Sequence, residues 1–289
     1  DGKWMLFTLS VPDWCQARRQ SDIYIVSTER GVPSTRQLTY TKDKTESSPR
    51  WSRDGSFFVF SSDRDATPGG GGREGGAAPR AVAAPNLPNP AAPGGGGGGG
   101  AGNQLYLMHP DGGEARKITD AREGVSTFAF SKDGKWLVYR SGRTDDDQLY
   151  AITVAALAAG DSVRPAQLTK HPTGVGLWQF SPDSKRIYFT SVDTVDRDER
   201  LRFERRFDVR IRNPEIPVSS LWAVDVDSKQ TTRPTKDPSY SVANFNISDD
   251  AKWIGFQGQS ASRYERNITG QGEYTDIYLL NTANGQVER

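Results

Sequence analysis

Phe130-Ser131-Lys132-Asp133-Gly134-Lys135, followed at once by Trp136-Leu137-Val138-Tyr139-Arg140, is the stretch whose reading decides the fold. Its Asp-Gly pair supplies the positive-φ backbone that a tight hairpin needs, and the aromatic and β-branched residues beyond it read as the returning strand. The same phrase recurs as Trp51-Ser52-Arg53-Asp54-Gly55, Phe180-Ser181-Pro182-Asp183-Ser184-Lys185 and Ile247-Ser248-Asp249-Asp250-Ala251-Lys252, with Asp1-Gly2-Lys3 as the tail of a further copy. Each copy leads into strand-like residues, at 4–8, 57–61, 136–140, 186–190 and 253–257. Ser184 and Ala251 stand where the glycine is expected, so those two hairpins should be strained or differently shaped.

Working outward, a second strand follows each copy: Asp22-Ile23-Tyr24-Ile25-Val26, Gln104-Leu105-Tyr106-Leu107-Met108, Gln148-Leu149-Tyr150-Ala151-Ile152, Ser220-Leu221-Trp222-Ala223-Val224 and Asp276-Ile277-Tyr278-Leu279-Leu280. A short outer element closes four of the units, at 36–39, 116–119, 166–169 and 232–235, and 286–289 reads as a fifth cut short. Pro234 has no N–H to give a ladder, which suits an outermost edge. The repeat is therefore a four-stranded antiparallel unit, with strand A before the Ser-x-Asp-Gly turn and B, C and D after it. Such units cannot bury both faces alone but can when stacked radially, so the expected fold is an all-β propeller of about five blades, incomplete at both ends. A β-sandwich is the alternative. The terminal units should each leave one face uncovered.

The anchor aspartates at 1, 54, 133, 183 and 250 are unevenly spaced, so the units run over about 1–40, 41–120, 121–170, 171–236 and 237–289. The excess lies at 10–21, 65–103, 191–219 and 258–275, always between strands B and C. One side of each blade should carry elaborated loops and the other tight turns, as when function rides on loops over a rigid scaffold. Residues 67–102 hold 14 of the 30 glycines and 6 of the 17 prolines, a composition expected to stay disordered. Residues 191–219 differ: 194–207 is charged, lacks Gly and Pro, and reads as an ordered or helical insertion.

The chain of 289 residues carries 37 basic and 36 acidic side chains, net +1, with no Lys/Arg block interleaved with aromatics. Nucleic acid is therefore not an expected partner. No apolar run approaches the roughly 20 residues that span a bilayer. Cys15 is the single cysteine, which excludes an internal disulfide and a Cys-based zinc site; it reads as a small half-buried residue.

No catalytic apparatus is legible. Gly258-Gln259-Ser260-Ala261-Ser262 lacks the final glycine of a nucleophile elbow and follows a blade strand, so it reads as loop. His109 and His171, the two histidines, have no evident partner and read as surface or turn residues. Asp145-Asp146-Asp147 and the set Asp193, Asp196 and Asp198 lack the Gly and distal Glu of a calcium loop and read as solvated turns. No phosphate-binding loop is present, so neither metal nor cofactor is expected.

The run Ser48-Pro49-Arg50-Trp51-Ser52-Arg53-Asp54-Gly55, continued by 57–64, 104–113 and 116–119, is similar to the TolB-type propeller repeat. The order Trp14, Arg18-Arg19, 21–27, 36–39 and 46–52, with a charged insertion before Leu221-Trp222-Ala223-Val224-Asp225, resembles the N-terminal propeller of bacterial acylaminoacyl-peptidase-like members of the prolyl oligopeptidase family. The resemblance covers nearly all of the chain outside 67–102. It implies a C-terminal α/β-hydrolase domain of the same polypeptide that carries Ser, Asp and His, with the propeller restricting access and selecting peptide substrates. No catalytic residue transfers to this chain. In the dipeptidyl peptidase branch, propeller carboxylates bind the substrate amino terminus, which makes Glu199, Arg200, Glu204 and Arg205 the substrate-facing candidates, although no paired-Glu motif is present. The alternative is a TolB-like interaction propeller without enzymatic activity. A periplasmic or secreted location is favoured over the cytoplasm.

Overall fold

The computed structural model describes residues 2–14, 18–65, 102–143, 146–162, 164–193, 201, 205, 217–236, 239–260 and 275–289. Among them, strands form five antiparallel sheets in which neighbours in sequence are neighbours in space. Sheet I holds β1 (Trp4–Asp13), β2 (Arg18–Ser27) and β3 (Arg36–Gln37). Sheet II holds β4 (Glu46–Trp51), β5 (Phe58–Ser62), β6 (Gln104–Met108) and β7 (Arg116–Lys117). Sheet III holds β8 (Thr127–Phe130), β9 (Trp136–Ser141), β10 (Gln148–Thr153) and β11 (Ala166–Gln167). Sheet IV holds β12 (Trp178–Phe180), β13 (Arg186–Val192), β14 (Ser219–Asp225) and β15 (Thr231–Thr232). Sheet V holds β16 (Tyr240–Ile247), β17 (Trp253–Ser260), β18 (Thr275–Asn281) and β19 (Val287–Glu288). This is the all-β architecture of a propeller, with strand A missing from sheet I. The chain divides into two compact units, one with sheets I to III apart from Gln148, the other with sheets IV and V.

The A–B turns explain the Ser-x-Asp-Gly phrase atom by atom. In sheet III the Ser131 N–H bonds the Trp136 carbonyl at 2.8 Å, and the Ser131 hydroxyl accepts from the Trp136 N–H at 2.9 Å. That hydroxyl donates to Asp133 Oδ1 at 2.6 Å, which in turn accepts from the Lys135 N–H at 3.1 Å. The serine thus stands in for a backbone acceptor while the aspartate gathers the loop. Ser52 and Asp54, Ser181 and Asp183, and Ser248 and Asp250 repeat the arrangement. Only the residue after the aspartate is left-handed, with φ of 73° at Gly55, 74° at Gly134, 62° at Ser184 and 59° at Ala251. The two substituted turns therefore keep the glycine geometry and carry the strain, rather than changing shape.

Packing against neighbours sets the burial pattern. β5 and β6 are buried at every position instead of alternating in and out, because sheet II is covered on both faces. One face places Phe58, Phe60, Tyr106 and Met108 against Ile23, Ile25 and Leu6 of sheet I. The other places Phe57, Val59, Leu105 and Leu107 against Phe128, Leu137 and Tyr139 of sheet III. In the second unit, Tyr188, Leu221 and Ala223 of sheet IV meet Ile254 and Phe256 of sheet V. Fully burying one such side chain is worth roughly 1.5–3 kcal/mol, more than the roughly 1–2 kcal/mol of a left-handed L-residue, so packing wins at Ser184 and Ala251.

The outer strands are shorter than the sequence suggests. Each pairs over two residues only, and in sheets I to III the pair that follows, Leu38-Thr39, Ile118-Thr119 and Leu168-Thr169, is buried. The Leu38 N–H bonds the Ile23 carbonyl and the Ile118 N–H the Leu105 carbonyl, while the hydroxyls of Thr39, Thr119 and Thr235 accept from the N–H of Ile23, Leu105 and Leu221. Pro234 occupies the Leu38 position and lies beyond β15, not within it. The N–H used at the equivalent position of sheets I and II is absent here, and the Leu221 carbonyl instead accepts from the Thr235 hydroxyl at 3.5 Å.

The connections also differ from expectation. The B–C excursion of sheet I is a ribbon rather than a loop, since β1 and β2 stay in register from Trp4↔Ser27 to Asp13↔Arg18. β17 likewise runs through Gly258 to Ser260, with Gly258 required because a Cβ would meet the Tyr278 ring at 2.3 Å. The opposite ends are not all tight turns: the C–D connection of sheet III contains α1 (Val154–Ala159), capped by left-handed Gly160 with Leu157 buried. The Val154-Ala155-Ala156-Leu157-Ala158-Ala159-Gly160 composition favours a short helix with a glycine stop. The readings placed on Cys15, Asp145, Asp196, Asp198, most of 67–102 and most of 194–207 lie outside the described residues.

Replacing Ala251 by Gly is expected to raise the urea midpoint, by about 0.5 kcal/mol of stability, as relief of left-handed strain outweighs added chain entropy. Gly134→Ala should lower it by more than about 1 kcal/mol, since its Cβ would also approach Arg53 Cβ to 2.9 Å. A lowered midpoint for the Ala251 variant contradicts the account of the turns.

Candidate functional site

Two polar clusters sit where the B–C connections leave their sheets, one in each unit. In the first, Glu46 opens β4 with its side chain fully buried, and Oε1 accepts from Arg64 Nη2 and from the Thr41 hydroxyl at 2.9 Å. Glu46 Oε2 and Arg64 Nε, which would complete a two-bond fork, have no other partner among the described residues. The Arg64 guanidinium lies 4.7 Å from the Tyr106 ring centroid and 5.4 Å from that of Phe60, a cation–π sandwich that holds it in place. Tyr106 donates to Asp65 at 2.6 Å, and Lys117 pairs with Asp65 at 3.4 Å. Burial first, then the Asp65 hydrogen bond, pushes the Tyr106 phenol up. Asp22 is raised by burial, with the Glu46 charge adding to it and the Gln20 hydrogen bond opposing. The cluster ties Arg64 and Asp65, the residues that follow β5, to the sheet.

The second cluster centres on His171, whose reading as a partnerless turn residue is corrected by the structure. The imidazole is buried, edge-on to Trp222 with centroids 4.6 Å apart. Its backbone N–H donates to Gln148 Oε1 at 3.0 Å, and its carbonyl accepts from Gln148 Nε2 at 2.8 Å. His171 Nδ1 lies 2.8 Å from the Ser191 hydroxyl and 3.0 Å from that of Thr173. Each hydroxyl has one proton, and Ser191 gives its own to the Gly174 carbonyl while Thr173 gives its own to that of Val192. Both oxygens therefore accept from His171, which makes Nδ1 the protonated nitrogen. A nitrogen that donates to Ser191 cannot deprotonate it, so the pair is structural rather than a nucleophile with its base. Burial holds the imidazole below its ordinary value of 6.5, against a weaker pull from Asp193.

Asp193, read as part of a solvated acidic turn, is instead engaged in this cluster. Its Oδ2 accepts from Arg233 Nη2 at 2.6 Å and from the Ser220 hydroxyl at 2.8 Å, and Arg233 stacks 5.6 Å from the Trp222 centroid. Among the described residues no three metal-ligating side chains converge. His109 lies exposed, with Nδ1 3.0 Å from the Ser56 carbonyl.

Of the substrate-facing candidates, Glu199, Arg200 and Glu204 lie outside the described residues. Arg205 is exposed, its backbone N–H bonded to the Leu201 carbonyl at 3.0 Å. Glu46, Arg64 and Arg233 were not singled out by the sequence reading. For Glu46 and Arg64 the available signal was a charge at the first residue of strand A or shortly after strand B, where a blade runs out of backbone partners; Arg233 directly follows the outer strand β15.

These features define a β-propeller, a fold shared by proteins of several chemistries. No family model matches the chain. Over 203 residues, 59% of this chain, it is 28% identical to an uncharacterized peptidase, YuxL of Bacillus subtilis, and covers about a quarter (25%) of that protein's length. The propeller domain of the Trilobed protease from Pyrococcus furiosus is similar in fold, at TM-score 0.52 and 10% identity, over 99% of this chain and 67% of that one. Oligogalacturonate lyase of Vibrio parahaemolyticus is similar at TM-score 0.52 and 13% identity, over 100% of this chain and 60% of that one.

Glu46→Gln is expected to cost about 2–4 kcal/mol in urea unfolding, because it strands the mostly buried Arg64 charge. Pairing it with Arg64→Met should recover part of that loss, and a double variant no better than the single one contradicts the assignment. For His171, the unfolded chain takes up its proton first as pH falls, so the stability present above about 6.5 drains as pH drops below that value. The variant His171→Asn, which retains a donor near Nδ1, should show a flatter dependence of Tm on pH between roughly 7 and 5. Equal slopes for the two proteins contradict a buried neutral imidazole.

Proposed function

We propose that this propeller is the non-catalytic domain of a serine peptidase, which restricts and selects the peptides reaching a C-terminal α/β-hydrolase domain of the same polypeptide. The supporting observation is the 28% identity to a peptidase over 203 residues, a stretch too long to rest on one turn motif. The site geometry is in keeping with it. His171 and Ser191 form a structural pair, and the charged clusters brace the roots of the B–C connections instead of presenting a nucleophile. A domain of this kind contributes passage and recognition while the covalent chemistry happens elsewhere.

Reading the coding sequence beyond Arg289 tests this directly. The expected result is a Gly-x-Ser-x-Gly elbow followed by Asp and then His, the order of an α/β-hydrolase. The full polypeptide should cleave aminoacyl or peptidyl nitroanilides, and this chain alone should not. A stop codon or an unrelated domain in that position overturns the proposal in favour of an interaction propeller.

A further inference from the structure

The residue before the closing threonine of an outer element helps to fill the gap to the next sheet. In sheet I it is Leu38, buried in the apolar cluster shared with sheet II. In sheet II it is Ile118, buried in the cluster shared with sheet III. Sheet IV has Pro234 there, half-buried, and this residue takes no part in the cluster shared by sheets IV and V. A compact ring thus stands where a longer aliphatic side chain reaches inward elsewhere.

Beside Pro234, in the second unit, lies a cleft of about 480 Å³, the size of a small-molecule site. Val287 contributes to its apolar wall, as does the Tyr278 ring, which is stacked on Phe256 with centroids 5.3 Å apart and 10° between the planes. Its charged lining has one sign. Arg233, Lys236 and Arg289 line it, and no carboxylate does among the described residues. Asp193 and Asp276 pair with two of these cations from outside the cleft wall. In a chain of net charge +1 the result is a local excess of positive charge. Arg233 is also held ready for a ligand. Its Nη2 donates to Asp193 and Ser220, its Nε donates to the Thr235 carbonyl at 2.9 Å, and its face lies on Trp222, which leaves Nη1 to meet a further acceptor.

We propose that this cleft binds an organic carboxylate, with the carboxyl group on Arg233 and Lys236 and one apolar side group on the Tyr278 ring, the chemistry of a free C-terminal peptide residue. Guanidinium and ammonium groups make charge-assisted hydrogen bonds to a carboxylate, and the ring adds an apolar contact that a bare inorganic anion cannot use. This inference goes beyond the access role proposed above and does not depend on it, because it requires only sheets IV and V.

Isothermal titration of the chain with N-acetylphenylalanine and with its carboxamide tests the site. The acid should bind in the millimolar range at low salt, and the carboxamide about tenfold more weakly, since it lacks the charge that the cations attract. Inorganic phosphate should bind more weakly than the acid. Pro234→Leu, which restores the kind of side chain present at Leu38, should fill the cleft and abolish binding of the acid with an unchanged circular dichroism spectrum. Lys236→Gln should weaken the acid several-fold, whereas Lys135→Gln, at an exposed turn of sheet III, should bind as wild type does. Equal binding of acid and carboxamide, phosphate that binds as tightly as the acid, a wild-type chain that binds neither, or undiminished binding by the Pro234 and Lys236 variants each overturns the proposal.

Discussion

A four-stranded sheet with two apolar faces cannot be soluble by itself, and that constraint organises everything else in this chain. Covering one face of sheet II with sheet I and the other with sheet III leaves β5 and β6 without any solvent side. Burial of large side chains such as Phe58, Phe60 and Phe57 supplies the driving force, and every local device serves to deliver strands into that stack. The turns take their place here. A left-handed serine or alanine is tolerated because it spans two strands whose packing is worth several times its strain.

Polar groups at the sheet ends follow from the same constraint. Where a strand leaves the stack its backbone and side chains lose regular partners, and side-chain hydrogen bonds replace them: serine and aspartate at the A–B turns, threonine behind the outer strand, the Gln148 amide around the His171 backbone. The buried charges occupy the same positions. Arg64 and Arg233 each lie against an aromatic ring and bond a carboxylate, and each fastens the residues that follow strand B to the sheet behind them. Neither arrangement supplies reacting atoms; both fix where the longer connections depart.

Much of the architecture was legible because its signal is local. An Asp-Gly turn with flanking aromatic strands can be recognised within ten residues, and its repetition implies stacking. The outer element was misread because Gln37-Leu38-Thr39 has strand composition, whereas the threonine hydroxyl takes over a backbone role only once Ile23 lies beside it. His171 was misread for a similar reason. Its environment is assembled from Gln148, Thr173, Ser191 and Trp222, which come from separate segments, so no window of sequence displays it. The ribbon of β1 and β2 escaped notice because Pro12 and the polar residues Ser10, Gln20 and Ser21 resemble loop more than strand.

The two-residue outer strands bear on how such a chain survives at high concentration. A long bare edge of N–H and C=O groups is a template on which a stranger's strand can grow, and the first step toward fibrils. Here the outer edge is broken off after two residues and closed by a threonine side chain in four of the five sheets. The proline in sheet IV removes one more rung. The outer side of these sheets is thereby a poor template for further strand addition, which leaves the connections free to lengthen without seeding aggregates.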